Sequence, residues 1–244
     1  MTSHPAGMSY ADYLQLPTLL SAQQPLSDRH DEMLFIIIHQ TKELWLRQML
    51  HEVRLAIRLI EALEFAPAYK AMARISRIQS VMTLSWDVLA TLTPVDYADF
   101  RSVLGTSSGF QSAQFRELEY RLGIKDPRFL DYHEGGSEGR ARLQAALDAP
   151  SLWEAADAAR ETLGAESWLL VYQDATRWFE LYQLAEKMVD IDDALSGWRH
   201  KHLLTVERII GHKPGTGGSA GARYLASTLE KRAFPELWEL RSAL

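Results

Sequence analysis

The residues best suited to chemistry crowd into one stretch, "WRHKHLLTVERIIGHKPGTGGSAG" (198–221), which carries His200, His202 and His212 together with a glycine-rich run. His39, in "HDEMLFIIIHQTKELWLRQ", adds a fourth candidate. The chain has no cysteine, which excludes disulfides, thiolate nucleophiles, Cys-ligated zinc, iron–sulfur clusters and covalently attached c-type haem. A bound metal must use His, Asp, Glu, Tyr or Met.

Helical phase separates the histidines. Leu195, Trp198, His202, Leu203, Val206, Ile209 and Ile210 fall on one stripe, while His200, Lys201, Glu207 and Arg208 fall off it. Side chains two apart on a helix point about 200° apart, so His200 and His202 cannot share a metal. "HEVRL" at His51 lacks the second histidine of the HExxH zinc pattern. His202 reads either as a core histidine satisfied by a hydrogen bond or as a lone ligand to a metal or haem.

The apolar block Met33 to Ile38 covers every face of its helix, yet His39, Gln40 and Glu43 follow at once and must be paired or used. His39 could hydrogen-bond Glu43 or a neighbouring helix. It could equally contact a ligand beside Phe35, four residues earlier on the same face. Tyr97 and Arg101 are also four apart, and an arginine fork there suits a carboxylate or a surface ion pair. "KPGTGGSAG" lacks the GxxxxGK[ST] order of a phosphate loop and reads as a flexible or tight-turning loop, with Thr216 as a hydroxyl donor.

The elements that must position these residues are helical almost throughout, so the expected fold class is all-α: helices packed antiparallel around a buried site. Ser9 and Asp12 form a capping box for a short helix that puts Tyr10, Tyr13 and Leu14 on one face and ends at Pro17. Long helices are expected over about 30–63 and 67–92. Thr93-Pro94-Val95-Asp96 caps another that stops at Gly105. A helix closed by Gly123 precedes "KDPRFLDYHEGGSEG", a polar, turn-rich loop or domain edge. Helices resume over about 139–147, 151–163, 167–188 and 192–210, with a short pair after Gly221.

At 244 residues and 47% hydrophobic, the chain suits one domain. A net charge of −6 argues against nucleic-acid binding. "MTSHPAGMSY" lacks the basic start and apolar run of a signal peptide, and "MLFIII" is too short to span a bilayer. A cytoplasmic protein with no membrane partner is expected.

Four blocks in order, "HDEMLFIIIHQTKELWL", "LTPVDYADFRSVLGTSSGFQSAQFRELE", "VDIDDALSGWRHKH" and "GTGGSAG", resemble the haem-dependent tryptophan 2,3-dioxygenase family. The likeness extends over nearly the whole chain. It implies haem b, ferrous when active, with His202 matching the proximal iron ligand and Trp86, Ser108 and Gly109 lining the haem pocket. His39 matches the distal histidine that accepts the indole N–H, and Phe35 packs on the substrate ring. Arg101 matches the carboxylate clamp, Tyr97 its helper and Leu104 a wall of the indole pocket. Thr216 matches a contact to the substrate's amino and carboxylate groups on a loop that closes as a lid. Tyr10, Tyr13 and Leu14 match an N-terminal helix (about 8–20) that completes a neighbouring subunit's pocket, so a homotetramer, a dimer of dimers, is implied.

The implied reaction adds O2 across the indole C2–C3 bond of L-tryptophan to give N-formylkynurenine, opening tryptophan catabolism along the kynurenine route. Against the family pattern, the accessory helical region at about 124–188 is shortened within a single domain, 1–244. That departure keeps two alternatives open: a monooxygenase of tryptophan or a substituted tryptophan giving an oxindole, as in natural-product pathways, and a non-catalytic helical haem sensor.

Overall fold

The computed structural model describes residues 7–244; the first six, which begin the "MTSHPAGMSY" stretch, lie outside the described residues. The helices are α1 (Tyr10–Leu14), α2 (Leu16–Leu20), α3 (His30–Glu61), α4 (Phe65–Leu89), α5 (Pro94–Phe100), α6 (Ala113–Leu122), α7 (Glu138–Asp148), α8 (Leu152–Thr162), α9 (Trp168–Gln173), α10 (Phe179–Ile210), α11 (Ala222–Ser227) and α12 (Pro235–Glu239). Short 3₁₀ turns cover Arg101–Leu104, Gly109–Gln111, Pro127–Tyr132 and Leu240–Ala243. No strand occurs among the described residues, so the all-α expectation holds. No described helix is long and apolar enough to cross a membrane.

Three long helices set the frame. α3 and α10 each run 32 residues, roughly 48 Å at 1.5 Å per residue. α3 buries Leu46, Met49, Leu50, Val53, Ala56, Ile57 and Ile60 at helical spacing. These meet Ala68, Ala71, Met72, Ile75 and Ile78 of α4 and Leu181, Leu184, Ala185, Met188 and Ile191 of α10 in the main core. A second cluster, Ile38, Trp86, Leu89, Leu92, Phe100 and Ile209, lies where α3, α4, α5 and α10 converge. The functional residues gather there.

Several boundaries differ from the sequence reading. Pro17 opens α2 rather than ending α1; the break is at Gln15, in the left-handed region at φ 52. The helix expected to run from Pro94 to Gly105 tightens into a 3₁₀ turn at Arg101. Two helices expected at 167–188 and 192–210 are instead broken at Asp174–Trp178 and continuous from Phe179 to Ile210. Asp192 suggested a helix start, but its buried carboxylate accepts from the Ala233 and Phe234 amides and Trp238 Nε1, fastening the C-terminal segment to α10. The stretch expected as a polar loop after Gly123 contains the Pro127–Tyr132 turn, whose Phe129 and Leu130 bury against Tyr120, Leu143 and Ala146.

Buried charges also fix the frame. Glu119 of α6 takes Arg116 at 2.5 Å and Arg199 of α10 at 2.8 Å. Arg199 also donates to the Lys231 carbonyl. The segment of α10 just before His202 is thus held by a charge pair that would be costly to break.

Candidate active site

A cavity of about 100 Å³ opens among α3, α4, α5 and α10, lined by Phe35, His39, Trp86, Tyr97 and His202 together with Leu89, Leu92, Thr205, Val206, Ile209 and Ile210. Helical phase explains the convergence. The first half of α3 turns Phe35 and His39 inward, and the apolar stripe of α10 turns His202 inward while His200 stays exposed. The expected separation of His202 from His200 is observed.

His39 does not bond Glu43. Its Nδ1–H donates to the Phe35 carbonyl at 2.7 Å, since a carbonyl can only accept. Its Nε2 is therefore an acceptor. Burial pulls the pKa of His39 down to about 4, assisted by Lys42 and opposed by the Phe35 carbonyl, so the ring is neutral at neutral pH. Phe35 lies 4.2 Å from the His39 ring, 6.0 Å from Tyr97 and 5.7 Å from Phe100 between centroids. Gln40 and Glu43 are paired elsewhere: Gln40 with Gln23 and the Ala22 carbonyl, Glu43 with Ser112 and Gln114.

His202 has no hydrogen-bond partner among the described residues, and burial first, then Lys42 and His39, pulls its pKa to about 3. Trp86 stacks on its ring at 4.3 Å, and Trp198 lies 5.3 Å away. Both indole N–H groups are buried without an acceptor. So is the ammonium of Lys42, which stands 2.9 Å from the centre of the Trp86 ring. Sequence reasoning passed over Lys42, although it lies three residues after His39 and seven after Phe35, on the same helical face.

Among the described residues no three His, Asp or Glu side chains gather to hold a metal ion. A metal at His202 would need its other ligands from a macrocycle, as in haem. The chemistry of the surroundings fits that group. An unbonded imidazole stands among aromatic rings, with three donors nearby that lack an acceptor, and haem offers both a metal and carboxylates.

The glycine-rich loop lies over the 3₁₀ turn that carries Arg101. Arg101 donates to the Pro214 carbonyl at 2.5 Å rather than forming an ion pair, and Thr216 donates to the Ser107 carbonyl at 2.5 Å. Gly217 passes so close to Ser108 that a Cβ on it would meet Ser108 Cβ at 2.5 Å. Ser108 itself caps the Gly109–Gln111 turn. Leu104 packs in the apolar cluster with Phe35 and Tyr97.

The structure thus brings Phe35, His39, Trp86, Tyr97, Leu104 and His202 together, with Arg101, Ser108, Gly109 and Thr216 around the loop. Tyr10, Tyr13 and Leu14 are not part of this grouping. They are 75%, 70% and 40% exposed at the surface of their own chain.

Residues 1–146 and 155–244 match the family model described as tryptophan 2,3-dioxygenase. The chain is 60% identical to the tryptophan 2,3-dioxygenase of Caulobacter vibrioides over 259 residues, covering 97% of this chain and 98% of that protein. It is 49% identical to that of a Bacillus cereus strain over 265 residues, covering 100% and 95%. With that of a Polaromonas strain the identity is 48%, over 97% and 88%.

Proposed function

This chain belongs to the tryptophan 2,3-dioxygenase family, and we propose that it adds both atoms of O2 to the indole C2–C3 bond of L-tryptophan at a haem b held by His202. The observation that carries the haem reading is the unbonded, ring-enclosed imidazole of His202. The ring is part-buried, lines the cavity and has no partner among the described residues, which leaves it free to hold a metal there. When bound, ferrous haem supplies the activation of O2 that no side chain here can provide.

The chain's own residues bind and orient. Arg101 takes the amino acid's carboxylate, a stronger acceptor than the Pro214 carbonyl it meets now. Tyr97 supports it from α5. Phe35 and Leu104 wall the indole, and His39 Nε2 accepts the indole N–H because Nδ1 is committed to Phe35. Holding the carboxylate and the ring N–H at two fixed points orients C2 and C3 for reaction. Thr216 contacts the amino acid from the loop, which closes over it and excludes water. Trp86, Ser108 and Gly109 line the haem pocket.

Tyr10, Tyr13 and Leu14 complete the pocket of a neighbouring subunit in a homotetramer, a reading supported by their exposure. The chain is one domain with a trimmed middle region. Alignments of 259 and 265 residues, longer than the chain itself, and the interruption of the family match at 147–154 support the trimming.

Electron balance tests the reaction. L-Tryptophan plus O2 gives N-formylkynurenine with no net reductant, whereas an oxindole-forming monooxygenase consumes two electrons and releases water. One O2 per tryptophan without added reductant is expected during turnover. Reductant consumed in step with product would overturn the reading. No observation favours the oxindole or sensor alternatives, and each relative named above carries the dioxygenase name.

A further inference from the structure

Lys42 is 6% exposed, yet its ammonium has no hydrogen-bond or ion-pair partner among the described residues. The adjacent Glu43 cannot serve, because its carboxylate is taken by Ser112 and Gln114. A cation held in a protein interior without a counter-charge is strongly disfavoured. The face of Trp86 offers it a cation–π contact, which replaces only part of the lost hydration.

The company it keeps indicates what is missing. Trp86 Nε1 and Trp198 Nε1 are also buried without acceptors, and the two indole rings lie 5.4 Å apart and flank His202. Three buried donors left without partners are complementary to an anion with several oxygen atoms. We infer that Lys42 pairs with a carboxylate of the haem bound at His202, fixing the cofactor from the α3 side. This rests on the haem reading above.

Burial pulls the pKa of the unpaired amine to about 6, and a carboxylate partner would restore the charged form. Arg101, whose donors reach toward the glycine-rich loop, is left to the amino acid.

The test is a cycle on the purified protein. Wild type and Lys42→Met are each loaded with haem or with haem dimethyl ester, and haem release to a scavenging apoprotein is timed. Lys42→Met should release haem roughly 10- to 100-fold faster, the worth of one charged hydrogen bond. Esterification should speed release from wild type more than from the variant, because the variant has already lost the Lys42 pair and loses only the remaining carboxylate contacts. Additive losses, or unchanged release from Lys42→Met, would overturn the pairing. So would a variant that retains haem normally but needs more L-tryptophan for saturation, because Lys42 would then serve the substrate.

Thermal unfolding without haem separates a folding defect. Removing an unpaired buried amine should leave apoprotein stability equal or higher, and a lowered apoprotein Tm that accounts for the haem loss would make Lys42 merely structural. Failure of wild type to bind haem at all would sink the haem reading itself, which is a different outcome.

Discussion

Trp86 lies flat on His202, ring centroids 4.3 Å apart and planes 9° from parallel. The contact joins α4 to α10 and holds the imidazole by its face, while its nitrogens, on the ring edge, bond to nothing in the described chain. His202→Ala should abolish stable haem retention, and His200→Ala, at an exposed position of the same helix, should leave it intact. Absorption spectra of the two purified variants check this. A normal haem spectrum from His202→Ala would mean that another residue is the ligand.

Arg101 should matter through the amino acid's carboxylate. Arg101→Ala is expected to lower kcat/KM for L-tryptophan about 10- to 100-fold, mostly through KM, as fits loss of a charge-assisted hydrogen bond. Binding of tryptamine, which lacks the carboxylate, should be little changed. Unaltered saturation by L-tryptophan would remove Arg101 from substrate recognition.

The loop approaches the 3₁₀ turn at a position where only glycine fits. A Cβ at residue 217 would lie 2.5 Å from Ser108 Cβ and 2.9 Å from its Oγ. Gly217→Ala should therefore bind L-tryptophan more weakly, as read by spectral titration. Wild-type affinity in that variant would show that this approach plays no part in closure.

Acid should loosen the link between α2 and α3. Burial acts to raise the pKa of Glu32, but hydrogen bonds from the Leu26 amide and the Ser27 hydroxyl and amide outweigh it and hold the carboxyl below its ordinary 4.5. A depressed carboxylate contributes its full stability above the unfolded value and loses it as pH falls through the folded one. Amide exchange at Leu26 and Ser27 should accelerate as pH drops below about 4.5, after correction for intrinsic rates. Glu32→Gln should show that acceleration already at neutral pH. Equal protection in both proteins at neutral pH would count against the clamp.

Local periodicity carried much of the reading. The stripe through Leu195, Trp198 and His202 separated one histidine from its neighbours, and the capping boxes at Ser9 and Thr93 are present as expected. What local pattern could not supply was long-range pairing. Asp192 has the chemistry of a helix cap, but the amides it satisfies lie more than forty residues on, so a helix start was expected inside α10. Lys42 carries no local signal of its own among Gln40, Thr41 and Glu43, and only the closure of α4 over α3 buries it. Arg101 was legible as a fork in need of an oxygen. Its meeting with Pro214, 113 residues later, is a product of tertiary folding.

The central claim is dioxygenation of L-tryptophan, and isotopic labelling tests it most directly. Ferrous enzyme supplied with L-tryptophan under ¹⁸O₂ should give N-formylkynurenine carrying two labelled oxygens, read promptly by mass spectrometry before the formyl group hydrolyses. A product with one labelled oxygen and an intact ring would contradict the account.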